Sequence, residues 1–367
     1  MSLKCGIVGL PNVGKSSLFN ALSNAGAEAA NFPFCTIDPN VGIVPVPDQR
    51  LQELTKLVKP QKTIPTTIEF VDIAGLVKGA SEGKGKGNAF LSHIREVDII
   101  VHVVRCFEND DVIHVEGNVN PTRDIDIIDS ELLYKDLESV EKRIDRLRKQ
   151  AKTGDKATKT QLDVATRLKE HIENGEPVRS FEVADDEMVA YKDLFLLTAK
   201  PVLFVCNVSE DDISDSGESN HHVINVKELA ELRGSQTVVV CAGIEAEIAE
   251  LDDEAKKEFL KELNIESAGL DQLIRAAYAE LGLITYFTAG EKEVRAWTIH
   301  FGMKAPQAAG VIHSDFERGF IRAETIAYDD YLNYGSESAA KEAGKLRSEG
   351  KEYIVKDGDV LHFRFNV

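Results

Sequence analysis

The chain has 367 residues, 43% hydrophobic and 29% charged, with a formal net charge of −19. That length supports two or three domains around a sizeable core, and no apolar run approaches the ~18 residues of a membrane-spanning helix. So acidic a surface does not attract nucleic acid as a whole, although an average can hide a local patch. The N-terminus shows no charged-then-apolar signal region with a cleavage site. Cys5, Cys35, Cys106, Cys206 and Cys241 are scattered, odd in number and without CxxC spacing. Reduced thiols, no zinc site and a cytoplasmic location are expected.

In chain order, Cys5 to Val8 predict a buried strand, and Ser16 to Ala25 a helix with Leu18, Phe19 and Leu22 apolar. Between them GLPNVGKS, residues 9–16, matches GxxxxGK[ST]. Gly9 and Gly14 allow a tight turn whose N–H groups point at phosphate oxygens, and the helix N-terminus adds its dipole. Lys15 supplies charge for the outer phosphates, and the Ser16 hydroxyl can ligate magnesium. The parts of a nucleotide switch follow in order. Thr36, in FPFCTIDP, is the expected switch threonine, with Cys35 beside it. The strand TTIEFVDIAG ends in Asp72, a magnesium partner through water, and the N–H of Gly75 would sense the outermost phosphate.

Apolar runs at 98–107, 201–207 and 237–243 join those at 7–9, 41–46 and 68–72 as six candidate strands with helical stretches between. This is the doubly wound α/β pattern, with ligands at the C-terminal strand ends. Where a guanine-reading NKxD would stand after the fifth of these strands, the chain has NVSE: Asn207 is kept, Val208 replaces the lysine and Glu210 the aspartate. A loop without a well-placed carboxylate loses its penalty against adenine. Ala242, in CAGIEAE, could lie against the base. ATP is therefore the expected nucleotide, with GTP tolerated, against the alternative of a base loop with no preference.

Many switch proteins place a water-orienting glutamine just after DxxG; here that residue is Leu76. Slow intrinsic hydrolysis is expected, at or below ~10⁻³ s⁻¹. His93 and His114 are the candidates to position water, with His114 favoured because it lies past a strand end. Asn12 could ligate a potassium ion beside the phosphates. The glycine-rich stretch 78–88 suits a segment that orders on binding.

Leu133, Leu137, Val140, Ile144, Leu147 and Ala151 recur at 4-3-4-3-4 spacing, and Leu162, Ala165, Leu168 and Ile172 return after a break at 153–155. This predicts a projecting helical hairpin, its first helix some twenty residues and about 30 Å long. Residues 142–159, spanning its tip, carry eight basic residues against two acidic ones. A basic tip on an acidic chain predicts contact with RNA phosphates or a ribosome. From about Leu283, short strands around a short helix, ending with Leu361, Phe363, Phe365 and Val367 on one face, predict a small β-grasp binding module. The expected domains are a nucleotide domain at 1–128 and 198–282, a helical insertion at 129–197 and a C-terminal module at 283–367.

GLPNVGKSSLFNAL, NFPFCTIDPN, FVDIAGLVKGAS, the NVSE loop and VRAWTIHFG…GDVLHFRFNV together resemble the YchF/Obg-like ATPase family over nearly the whole chain. The resemblance implies an ATP-preferring P-loop protein of the translation-factor class with a helical insertion, a C-terminal TGS domain, ribosome association and a hydrophobic residue in place of the catalytic glutamine. It further implies that Asn12, Val13, Gly14, Lys15, Ser16 and Ser17 bind the ATP phosphates, Ser16 and Thr36 magnesium, and Asn207 with Val208 the adenine. One departure is the loop beginning CAG, where the family often has SA followed by lysine. The expected protein is a monomeric, slow, magnesium-dependent ATPase. A GTPase of the same architecture and an ATP-dependent binding protein with negligible hydrolysis are the alternatives.

Overall fold

The computed structural model describes residues 3–25, 40–73, 86–151, 156–263 and 265–366. Cys35, Thr36, Gly75, Leu76, the glycine-rich stretch up to residue 85 and the hairpin apex at 152–155 lie outside the described residues.

The chain forms β1 (Lys4–Val8), α1 (Lys15–Ala25), β2 (Val41–Pro45), α2 (Gln49–Val58), β3 (Lys62–Ile64), β4 (Thr67–Asp72), α3 (Lys86–Glu96), β5 (Ile99–Arg105), α4 (Pro121–Gln150) and α5 (Lys156–Glu173). There follow α6 (Met188–Lys192), β6 (Val202–Asn207), α7 (His221–Leu232), β7 (Gln236–Val240), α8 (Ala242–Ile248), α9 (Asp253–Glu262) and α10 (Gly269–Glu280). The C-terminal part adds β8 (Leu283–Ala289), β9 (Glu293–His300), α11 (Ala305–Ile312), α12 (Ser314–Arg318), β10 (Phe320–Ala327), α13 (Tyr328–Tyr334), α14 (Glu337–Glu342), β11 (Arg347–Glu349) and β12 (Asp359–Phe365).

Two compact units result, one of Met1–Val44 with Glu69–Leu273 and one of Pro45–Ile68 with Ile274–Val367. In the first, all six expected strands share one sheet in the order β2-β4-β1-β5-β6-β7. The pairings of β1 with β4 and β5, of β5 with β6 and of β6 with β7 are parallel. Every residue of β5 and β6 is buried, as a parallel strand covered on both faces requires. The register sets Ile7 beside Asp72, Arg105 beside Asn207 and Asn207 beside Val240. The C-terminal strand ends therefore make one edge, where ligands of this architecture bind.

The hairpin is present and longer than its apolar spacing suggested. α4 has 30 residues, about 45 Å at 1.5 Å per residue. It starts at Pro121, before the seam begins, because Asn120 caps it: the Asn120 side chain accepts from the Arg123 N–H, and proline suits the first turn. Val140, Ile144 and Leu147 pack against Val164, Ala165, Leu168 and Ile172 of α5. Asp136, buried on α4, accepts from the N–H groups of Leu197 and Thr198 at 2.8 Å and from the Thr198 hydroxyl at 2.7 Å. Burial pushes its carboxyl upward against the pull of those three donors.

The second unit holds a mixed sheet in the order β11-β10-β12-β8-β9-β3. Its first and last C-terminal strands, β8 and β12, run parallel between antiparallel partners, the expected β-grasp arrangement. The boundaries differ from those expected. Residues 45–68, assigned from sequence to the nucleotide domain, join this unit because Leu51 and Leu54 bury against Phe287, Val294 and Val360 and β3 pairs with β9. Leu361 and Phe363 are buried as the alternation required, whereas Phe365 is 38% exposed.

Candidate functional site

The turn between β1 and α1 has the geometry a phosphate cradle needs. Gly14 sits at φ +92°, and a Cβ there would stand 2.1 Å from Asn207 Nδ2, so no other residue fits. At Gly9 a Cβ would stand 2.6 Å from the Val103 carbonyl oxygen. Asn12, non-glycine at φ 66°, donates from Nδ2 to the Ile113 carbonyl at 3.0 Å. Lys15 Nζ lies 2.5 Å from Asp72 Oδ1 at the end of β4, which brings two sequence-predicted residues together. Val13 is buried, and Ser16 and Ser17 are exposed at the start of α1.

Asn207 has a structural role beside the one expected of it. It is buried, its Nδ2 donates to the Val13 carbonyl at 2.9 Å and its Oδ1 accepts from the Ala242 N–H at 3.0 Å. Through these two bonds the side chain joins the phosphate loop to the β7–α8 turn, with one N–H and one lone pair of the amide still to spare. Val208 is also buried, its N–H donating to the Val240 carbonyl. Glu210 is exposed, and a Cβ on Gly243 would stand 3.7 Å from its Oε1. The Glu210 carbonyl accepts from the Ile213 N–H at 3.4 Å, in the short turn that follows the base loop.

His114 is likewise engaged. Its side chain is 3% exposed, its Nε2 lies 2.8 Å from Asp124 Oδ2 and its Nδ1 accepts from the Glu116 N–H at 3.2 Å. Both ring nitrogens are occupied by protein, so the ring braces the segment entering α4 and is not placed to orient water. His93 is exposed on α3. Sequence reasoning missed Arg105. It is 1% exposed and donates to the carbonyls of Phe107, Val112 and Asn109 at 3.0, 2.7 and 3.0 Å. That one guanidinium shapes the loop against which Asn12 rests; the signal was an arginine closing a strand that is apolar apart from His102. Glu245, also buried, accepts from the N–H groups of Gly269 and Leu270 and anchors α10.

Residues 4–144 match the family model "50S ribosome-binding GTPase", and residues 283–366 match YchF-GTPase_C, described as a protein of unknown function (DUF933). Over all 367 residues, and the full length of both chains, the sequence is 60% identical to the Ribosome-binding ATPase YchF of Bacillus subtilis. The chain belongs to the YchF family. The same full coverage holds at 58% identity to the Ribosome-binding ATPase YchF of Escherichia coli O157:H7. The solved Schizosaccharomyces pombe YchF GTPase matches with a TM-score of 0.89 at 42% identity, covering 99% of this chain and 98% of that one. Among the described residues no helix is long and apolar enough to cross a membrane.

Proposed function

We propose that this chain is a slow, magnesium-dependent ATP-binding and ATP-hydrolysing switch that associates with the ribosome. The carrying observation is the cradle: Gly14 in the left-handed region, Lys15 against Asp72, and the loop held from behind by Asn207. The relatives named Ribosome-binding ATPase support the choice of nucleotide and partner. Asn12 to Ser17 would wrap the phosphates, with Lys15 meeting the outer ones. Base selection would fall to backbone and side chains around Val208, Glu210 and Ala242, where valine and glutamate hold the positions of the guanine-reading lysine and aspartate.

Asp72 already accepts a cation at the cradle's mouth, so it fits a magnesium ion, with the Ser16 hydroxyl and Thr36 as the other ligands. The ion would neutralise phosphate charge as it develops. Asn12 spends its Nδ2 on Ile113, which leaves its oxygen as the atom to ligate potassium. The Gly75 N–H would meet the outermost phosphate, and Leu76 there leaves water unoriented, so turnover should need a partner. A basic hairpin would make the ribosomal or RNA contact, with the protein acting as a cytoplasmic monomer.

Titration with ATP and with GTP, in magnesium and potassium, tests the nucleotide reading, and turnover with and without ribosomes tests the switch. Tighter ATP binding and ribosome-stimulated turnover are expected. Tighter GTP binding would mean that the exposed Glu210 reaches guanine and that the chain is a GTPase. Tight ATP binding without turnover in either condition would leave a binding protein.

A further inference from the structure

A cleft of about 560 Å³ opens in the first unit between α3, the middle of α4 and the residues after α6. Five cations line it: Arg95 from α3 and Lys135, Lys142, Arg143 and Arg146 from α4. Two carboxylates, Glu138 and Asp193, oppose them. Glu138 is taken up by Lys135 at 2.5 Å and by Lys142. Among the described residues no ion pair involves Arg95, Arg143 or Arg146, and the Nε of Arg143 is buried without a hydrogen-bond partner. Three guanidinium groups thus face one cleft in which Asp193 is the carboxylate left over once Glu138 is paired, on a chain of net charge −19. Positions 135, 139, 142, 143 and 146 share one stripe of α4, while Val140, Ile144 and Leu147 face α5. Part of the basic run expected at the hairpin tip therefore lines this cleft instead.

The rim adds a second signal. Phe195 directly follows the lining residues Asp193 and Leu194. It is 80% exposed and held at φ 49°, in the left-handed region that a bulky aromatic avoids. Its N–H donates to the Lys192 carbonyl at 3.2 Å, and the ring is presented to solvent next in sequence to the cleft lining. Arginine forks grip phosphate oxygens in pairs, and an exposed aromatic gives an unpaired base a face to stack on.

We infer that the cleft between α3 and α4 binds an unpaired RNA strand, its phosphates on Arg95, Arg143 and Arg146 and one base on Phe195. This rests on the RNA-contacting reading of the hairpin and moves the contact from the tip to the hairpin's flank. An acidic peptide would use the cations but gain little from a free aromatic ring.

The test uses the full-length protein and a short fluorescein-labelled oligouridylate, with anisotropy read across a salt series. Arg95→Glu combined with Arg146→Glu should weaken binding more than tenfold. It should also lower the log–log salt slope by about 1.4, at ~0.7 per single-strand phosphate contact. Phe195→Ala should cost about tenfold for the single strand and nothing for a duplex. Reversing Lys149, Lys156 and Lys159, nearer the apex, should leave affinity unchanged. Circular dichroism and ATP titration confirm that each variant is folded. If the apex reversals abolish binding and the cleft variants do not, the cleft assignment is wrong while the hairpin reading stands. If neither set matters although ATP still binds, both fall and the nucleotide switch survives. Binding of a polyglutamate peptide in place of the RNA, with the same arginine dependence, would overturn the assignment in favour of an acidic-peptide site.

Discussion

Asn207→Ala separates a strut from a base reader. In the structure the side chain makes two buried hydrogen bonds, to the Val13 carbonyl and from the Ala242 N–H. Each is worth about 1 kcal/mol net, and more once its partner is left buried and unpaired. The expected loss is about 2–4 kcal/mol of stability in the first unit, measured by urea unfolding. Asn207→Asp should cost more, because it turns the donor facing the Val13 carbonyl into a second acceptor and buries a charge. Both variants should weaken ATP and GTP equally in a fluorescent-nucleotide titration, since the bonds they remove hold the phosphate loop, which meets either nucleotide alike. An altered ATP-to-GTP ratio with unchanged unfolding would refute the reasoning and return Asn207 to base recognition.

Lys15→Ala should lower nucleotide affinity more than tenfold by calorimetry while leaving the unliganded fold nearly as stable, since its ion pair with Asp72 is partly exposed; unchanged affinity would overturn the cradle assignment. His114→Asn removes the contact with buried Asp124 and should cost about 1–3 kcal/mol in urea without changing turnover of bound ATP. A tenfold drop in single-turnover hydrolysis with binding intact would make the ring catalytic after all. Burial, and then the positive charges of Arg233 and Arg179, hold His102 down to about 3 from an ordinary 6.5. Its folded pKa is depressed, so its contribution to stability is present above pH 6.5 and is lost as pH falls toward 3. At pH 5 the loss is about 2 kcal/mol, at ~1.4 kcal/mol per unit, and His102→Phe should remove that part of the pH dependence. An unchanged slope between pH 6.5 and 5 would place the acid sensitivity elsewhere.

What could be read in advance was local or periodic. A phosphate loop is eight consecutive residues with a steric reason for each glycine, and six apolar runs at the right spacing leave little choice but a parallel sheet. The hairpin seam repeats every three or four residues, so Val140, Ile144 and Leu147 announced their partners. What escaped depends on contacts distant in sequence. Nothing near Asn207 says that its amide will face Val13, some two hundred residues earlier. His114 looked available because it follows a strand; only the turn into α4 brings Asp124 to its ring. The excursion 45–68 reads as a connection within the nucleotide domain until Leu51 and Leu54 find Phe287 and Val294.

The same long-range contacts explain how the cradle can be built from a short loop. Gly14 can approach the end of β6 only because it has no Cβ, and that closeness lets one asparagine tie Val13 to Ala242. On the loop's other side, Asn12 holds Ile113, within a segment that Arg105 folds around its own guanidinium and His114 pins to α4. The phosphate loop is thus fixed to the loops after β5 and β7 before any nucleotide arrives, so little ordering remains to oppose binding. The Asp72 backbone is held in the sheet beside Ile7, and its carboxylate meets the cradle through Lys15. The ammonium that now sits on Asp72 is the group expected to move to the phosphates, and the carboxylate it leaves is the one expected to receive magnesium. A nucleotide-dependent change should therefore begin at the end of β4, with the β5, β6 and β7 side of the site held still.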